Sequence, residues 1–207
     1  MKVLLINGSP HAKGTTFTAL SEVARTLNEE GIDTEIFQIG TGAVHGCIDC
    51  GHCRRAGCCV FNDDPVNTIV EKAKACDGFI FGAPVHYAGP AGAMHAVLDR
   101  VFYSNSGVFA YKPGAAVVCC RRGGATASFV SLNKYFTIAN MPIVPSQYWN
   151  MVHGANAEDA LQDAEGLQTM RTLGRNMAWM LKCFAAGREN GVALPKKEPH
   201  LRTNFIR

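Results

Sequence analysis

Long apolar runs are missing from this chain of 207 residues, and so is any lopsided charge. The opening carries one lysine and then only Val3, Leu4, Leu5 and Ile6 before the polar turn Asn7-Gly8-Ser9-Pro10. That is too short for the core of a signal peptide, and no later stretch approaches a membrane span. The expectation is a cytoplasmic protein with no membrane partner. Lys and Arg number 20 against 17 Asp and Glu, a formal charge of +3, and residues 188–207 alone hold that surplus. The near-neutral remainder gives no footing for a nucleic-acid partner. An internal repeat and a low-complexity linker are also absent. What is present is a 47% hydrophobic composition, enough to bury a substantial core in one domain, and 9 cysteines. That odd number argues against a simple disulfide framework and is dense for an intracellular chain unless some thiols carry chemistry.

The pattern alternates strand and helix. Lys2 to Ile6 reads as a buried parallel strand that stops in a turn. Phe17, Leu20, Ala24 and Leu27 then recur at helical spacing, with Gly31 as the stop. Ile32 to Ile39 suits a second strand. Pro65 opens a helix capped by Asp64, with Val66, Ile69, Val70 and Ala73 as its apolar stripe. Gly78 to Gly82 is a third short strand, ending at Ala83-Pro84. Met94, Val97, Leu98 and Val101 mark a helix face, Ala115 to Cys120 a fourth strand, and Ala125 to Ala139 a helix. A fifth strand begins near Pro142, and one long helix runs from about Ala157 to Ala186, with Leu167, Met170, Leu173, Met177, Leu181 and Phe184 inward. Five strands joined by helices imply right-handed crossovers and a doubly wound, three-layer αβα sheet. The body spans residues 1–187, with a cysteine-rich loop at 45–62, and residues 188–207 form a tail.

Ligands of such sheets sit beyond the carboxyl ends of the strands, where three loops stand out. The first, Gly8-Ser9-Pro10-His11-Ala12-Lys13-Gly14-Thr15-Thr16, bends sharply and presents hydroxyls and backbone amides at a helix start, as a terminal phosphate requires. It lacks the Gly-Lys-Ser/Thr ending of a nucleotide triphosphate loop and the G-x-G-x-x-G of a dinucleotide fold. A turn that merely caps a helix is the plain alternative. The second, Ala83-Pro84-Val85-His86-Tyr87-Ala88-Gly89-Pro90, is a stiff loop whose His86 and Tyr87 suit a planar ring; a surface turn with a packed tyrosine is nearly as good a reading. In the third, Cys119-Cys120-Arg121-Arg122-Gly123-Gly124, adjacent arginines at a strand end suit an anion, or are simply solvated. At least one of Cys119 and Cys120, in an apolar strand, reads as a buried small hydrophobe, and Cys76 and Cys183, near helical apolar stripes, get the same reading.

The cysteine loop carries the densest chemistry. Cys47-x-x-Cys50-x-x-Cys53 followed by Cys58-Cys59 can bring four sulfurs to the corners of an iron-sulfur cubane, the fourth being Cys58 or Cys59. A zinc site with His45 or His52 taking part, and metal-free thiols, remain the other two options.

Taken together, these motifs resemble the flavodoxin-like NAD(P)H-dependent FMN reductase family, and within it the iron-sulfur flavoproteins. The resemblance runs from Met1 to about Met151. It rests on Ile6-Asn7-Gly8-Ser9-Pro10 with Gly14-Thr15-Thr16, on Gly82 to Tyr87, on Leu98-Asp99-Arg100, and on Cys120 to Gly124. It implies a flavodoxin-like fold, bound FMN and an oxidoreductase with NAD(P)H as cosubstrate, hydride passing to the flavin. Electrons would leave for a quinone, a free flavin, another small acceptor or a redox protein. Ser9, His11, Gly14, Thr15 and Thr16 would serve the phosphate. Pro84, Val85, His86 and Tyr87 would line the ring, with Arg121 and Gly123 near its polar edge. Cys47, Cys50, Cys53 and Cys59 would ligate a [4Fe-4S] cluster. No catalytic acid or base is implied. An electron carrier without direct NAD(P)H oxidation is the competing reading; carriers of this shape are usually strongly acidic, which this chain is not. The methionine-bearing last helix and the tail point to a homo-oligomer.

Overall fold

The computed structural model describes residues 1–203 and Phe205. Lys2–Asn7 forms β1, whose Val3 to Ile6 are wholly buried, as a strand covered on both faces must be. After it come α1 (Thr15–Glu29), β2 (Asp33–Gln38), the short α2 (His52–Ala56) inside the cysteine loop, α3 (Val66–Lys74), β3 (Gly78–His86) and β4 (Gly89–Pro90). The second half holds α4 (Gly92–Phe109), β5 (Gly114–Cys120), α5 (Ala125–Ile138), β6 (Met151–His153), α6 (Ala157–Gln162) and α7 (Ala164–Glu189).

Five strands pair in the order β2-β1-β3-β5-β6, all parallel, while β4 pairs antiparallel with β3 alone. This is the flavodoxin-like doubly wound order, with its topological switch between β1 and β3. Side-chain alternation builds the layers. Val3, Leu5, Ile80, Ala115 and Val117 pack against Leu20, Val23 and Leu27 of α1 and Met170, Leu173 and Met177 of α7. Leu4, Ile6, Phe79, Phe81 and Val118 face α3, α4 and α5. Among the described residues, no helix is long and apolar enough to cross a membrane.

Several expected boundaries move. β3 does not stop at Ala83-Pro84. It runs on to His86 and turns back through β4, Val85 pairing with Pro90 and His86 with Gly89. Tyr87 and Ala88 take φ of 48° and 60°, the doubly left-handed tip that matches strand twist in a two-residue hairpin. The fifth strand forms at Met151–His153, not at Pro142. Near Pro142 the chain makes one bridge, Gly114 N–H to Pro142 O at 2.9 Å and Val144 N–H to Gly114 O at 2.9 Å, and the flanking Pro142 and Pro145 have no N–H with which to extend it.

The expected single last helix is two, because Asp163 breaks the run and caps the second, its carboxylate accepting from Gly166 N–H at 2.9 Å. Asn156 caps α6 likewise, accepting from Asp159 N–H at 2.8 Å. Helix α7 continues through Glu189, so the tail leaves the body two residues later than expected. Asn204, Ile206 and Arg207 of that tail lie outside the described residues. Asp64 stands one place before the N-cap Pro65, its Oδ1 accepting from Val66 N–H at 3.2 Å. Cys183 is exposed, not buried: two residues on from the buried Leu181, it lies on the opposite side of the helix.

Candidate functional site

The loop after β1 is held from three sides. Gly8 N–H donates to Gly82 O of β3 at 2.8 Å, and a Cβ on Gly8 would stand 2.8 Å from Met94 Sδ, so this close crossing requires glycine. Asn7 Nδ2 donates to Gln38 Oε1, Gln38 Nε2 donates to Ser9 O at 2.6 Å, and Ser9 N–H donates to Asn7 Oδ1 at 3.1 Å. Ser9 Oγ then accepts from His11 N–H at 3.1 Å, shaping the turn toward α1. Gly14 O accepts from Thr18 N–H at 3.0 Å, the first bond of the α1 ladder, which leaves the amides of Thr15, Thr16 and Phe17 at the open helix end. Aligned peptide dipoles make that end electropositive. Thr15 Oγ1 reaches across to Asn156 O at 3.0 Å, while the buried Thr16 Oγ1 sits beside the Cys119 thiol and has no oxygen or nitrogen partner among the described residues.

These residues open into a solvent-accessible cleft of about 600 Å³ at the carboxyl ends of β1, β3 and β5. Ser9, His11, Gly14, Thr15, Thr16, Pro84, Val85, His86 and Arg121, drawn from three separate loops, all line it. Tyr87 and Gly123 do not. Tyr87 is fully exposed at the hairpin tip, and the glycine that matters structurally is Gly124, which at φ 88° lets the hairpin rest on the start of α5. The lining also contains Lys13, Cys119 and Cys120, which lie in the first and third expected loops but have no expected cofactor role, and the segment Gly154 to Glu158, which sequence reasoning missed. The segment follows β6, and it was missed because the fifth strand was expected near Pro142 and not at Met151–His153. Burial pushes the Cys119 thiol up to about 12 and raises that of Cys120, so both are neutral packing groups under the cleft. Free helix amides, the Thr16 hydroxyl and the cations Lys13 and Arg121 suit a phosphate monoester, and the Pro84-Val85 wall suits a flat ring. The residues present fit FMN.

A second, tight pocket, of about 20 Å³, collects the cysteine loop. Cys47, Cys50, Cys53 and Cys59 all line it, with Ile48, Phe61, Arg100 and Tyr103, whereas Cys58, His45 and His52 are not part of the lining. Among the described residues, no three His, Cys, Asp or Glu side chains converge closely enough to hold one metal ion. The four thiols are instead spread around a pocket, a donor set chemically suited to a polynuclear iron-sulfur group.

Arg100 of α4 lies beneath this pocket, 2% exposed. Its Nε and Nη2 donate to Cys59 Sγ at 3.2 and 3.1 Å, and its Nη1 donates to His45 O at 3.1 Å and to Asp64 Oδ2. Burial opposes the charge, yet the bonds to Asp64 and Cys59 hold its pKa above the ordinary arginine value. Removing one partner of such a buried ion pair costs about 3–5 kcal/mol. Asn67 fixes the same turn: its Oδ1 accepts from Cys59 N–H at 2.9 Å, and its Nδ2 donates to Cys59 O and Phe61 O at 3.0 and 3.1 Å.

The strand order and the cleft at its switch point define a flavodoxin-like α/β protein. Residues 1–156 match the family model described as NADPH-dependent FMN reductase, and the chain belongs to that family. It is 32% identical over 190 residues to an iron-sulfur flavoprotein of Methanocaldococcus jannaschii, covering 88% of this chain and 98% of that one. Its identity to an iron-sulfur flavoprotein of Methanosarcina thermophila is 28% over 193 residues, 91% and 100% of the two chains. Among solved structures, the apo form of an NADH:FMN oxidoreductase superposes with a TM-score of 0.63 at 14% identity, covering 86% of this chain and 89% of that one. A flavodoxin from the domain Archaea gives 0.60 at 14%, covering 88% and 99%; these two likenesses concern the fold. By family, the chain is an FMN-dependent oxidoreductase that uses NAD(P)H.

Proposed function

We propose that electrons taken from NAD(P)H at an FMN in the switch-point cleft leave by way of an iron-sulfur cluster held by Cys47, Cys50, Cys53 and Cys59. The terminal acceptor is a quinone, a free flavin, another small molecule or a redox protein. The observation that carries this reading is the meeting of Ser9, His11, Gly14, Thr15, Thr16, Pro84, Val85, His86 and Arg121 around one cleft. Their chemistry suits a phosphate at one end and a planar ring at the other. Bound FMN supplies exchange between two-electron and one-electron donors and acceptors; the protein's part is to seat it and govern access. Ser9, Thr15 and Thr16 hold the phosphate with the free amides of α1, and His11 flanks them. Pro84, Val85 and His86 form the wall along the ring, and Arg121 offsets negative charge at its polar edge.

The cluster reading is supported by the four thiols that share one pocket and by the two iron-sulfur flavoproteins to which the chain is similar. The unit of function is one FMN-binding body with the 45–62 loop inserted and a C-terminal tail. It works in the cytoplasm as a homo-oligomer, a reading supported by the exposed Trp179 on α7.

An anaerobic absorption spectrum, with FMN, iron, sulfide and zinc quantified per chain, tests both centres. One FMN with iron and sulfide in near-equal amounts is expected, as is bleaching of the flavin by NADH or NADPH. A colourless, zinc-loaded protein would overturn the reading. Sedimentation that finds only monomer would overturn the oligomer.

A further inference from the structure

Two adjacent cysteines, Cys58 and Cys59, compete for the fourth corner of the cysteine pocket, and the surrounding side chains treat them differently. Only Cys59 faces the pocket. Its backbone is clamped on both sides by Asn67, and its sulfur receives two guanidinium N–H groups from Arg100. Arg100 itself cannot drift. Nη1 is tied to Asp64, a side chain with 0% exposure, and to His45 O at 3.1 Å, while the guanidinium lies 5.1 Å from the centre of the Phe61 ring. Phe61 is stacked in turn on the His45 ring at 4.1 Å. All three guanidinium nitrogens thus have fixed partners, and two of them point at one sulfur.

Building on the cluster reading above, we propose that Arg100 is a positioning residue for that cluster: its buried fork selects Cys59 over Cys58 as the fourth thiolate and tunes the electron affinity of the group bound there. Hydrogen bonds and positive charge at a ligand sulfur stabilise the more negative, reduced state, so the residue raises the reduction potential of whatever the four thiolates hold. The planar fork matters because an ammonium on a flexible stem gives one point of charge and cannot direct two donors in fixed geometry onto the same acceptor. Asp64 holds the fork in register and does not itself reach the pocket lining.

The test uses full-length protein reconstituted with iron and sulfide. Cys58→Ser should keep the wild-type iron, sulfide and electron paramagnetic resonance spectrum, and Cys59→Ser should lose iron. Arg100→Lys keeps the charge opposite Asp64 and so preserves the fold. It should retain its FMN and show a cluster midpoint potential shifted to more negative values in a redox titration. The paired variant Asp64→Asn with Arg100→Gln removes the charge without leaving Asp64 unpaired, and should shift the midpoint further the same way. A purely structural role would leave the midpoint unmoved in every folded variant, and that result overturns the inference, as does loss of the cluster in Cys58→Ser with its retention in Cys59→Ser. Wild-type protein that takes up no iron overturns the cluster reading itself, and this inference with it.

Discussion

Gly124 and Ala88 touch so closely that a Cβ on the glycine would stand 2.7 Å from the Cα of the alanine. The contact fixes the β3–β4 hairpin, and with it Val85, against the first turn of α5. Replacing Gly124 with alanine adds a clash to a left-handed backbone at φ 88°. The expected outcome is a loss of roughly 1–3 kcal/mol in urea denaturation, together with weaker FMN retention because the cleft wall shifts. Unchanged stability would mean that the hairpin does not lean on Gly124.

Thr16 should behave in opposite ways with and without cofactor. Its hydroxyl is buried in the protein alone with only the Cys119 thiol beside it, a weak partner that returns little of the desolvation cost. Thr16→Val should therefore leave the FMN-free protein as stable as wild type, or stabilise it by up to ~1 kcal/mol. FMN affinity, measured by fluorescence quenching, should fall roughly tenfold, about 1.4 kcal/mol. Equal affinities would remove Thr16 from the phosphate site.

His95 ties stability to acidity. Its Nδ1 lies 3.0 Å from Tyr135 Oη and its Nε2 3.3 Å from Ser131 Oγ, and Tyr135 donates in turn to Asp99. Burial, with Lys134 nearby, depresses its pKa below 6.5, against the pull of Asp99. The unfolded chain therefore binds the proton first. The neutral ring's contribution is complete above pH 6.5 and declines as pH falls toward the lower folded value. Urea midpoints at pH 7.5 and 5.5 should differ more for wild type than for His95→Asn; equal differences would show that another group governs the window.

Thiol labelling separates the cysteines that looked alike. Iodoacetamide at pH 8 should modify Cys183, which is exposed, while Cys119 stays unlabelled until the protein unfolds, its thiol pushed up to about 12 by burial. Peptide mapping reads the two sites directly, and native labelling of Cys119 would contradict its packing.

Much of this architecture was legible in the sequence where a single physical rule dominated. The run from Val3 to Ile6, closed by a turn, reads as a doubly covered strand and is one, and Met94, Val97, Leu98 and Val101 read as one helix face and are buried together. The three loops that meet around one cleft were legible for the same reason, since loops after parallel strands converge at the switch point, while the individual residues in them were named from the family resemblance. Failures came where two rules competed. Proline at 84 reads as a strand stop, yet Pro84 pairs with Cys119 and accepts from Ala91 N–H at 3.0 Å. Continuous helical propensity from 157 to 186 concealed a break that depends on one Asp163 side chain. Arg100 drew notice only as part of a motif. Its burial could not be inferred, because arginine goes inside only when paired, and its partner is 36 residues away.

The hydrogen bond from Thr15 to Asn156 spans 141 residues of chain. During synthesis, this end of the cleft cannot be completed until residue 156 has left the ribosome, because closure of so long a loop waits for its far end. The cysteine pocket, bounded by Cys47 and Ser104, is complete in sequence far sooner. The two pockets are therefore completed on different schedules, and the interval between them is written into the distance between the ends of the chain.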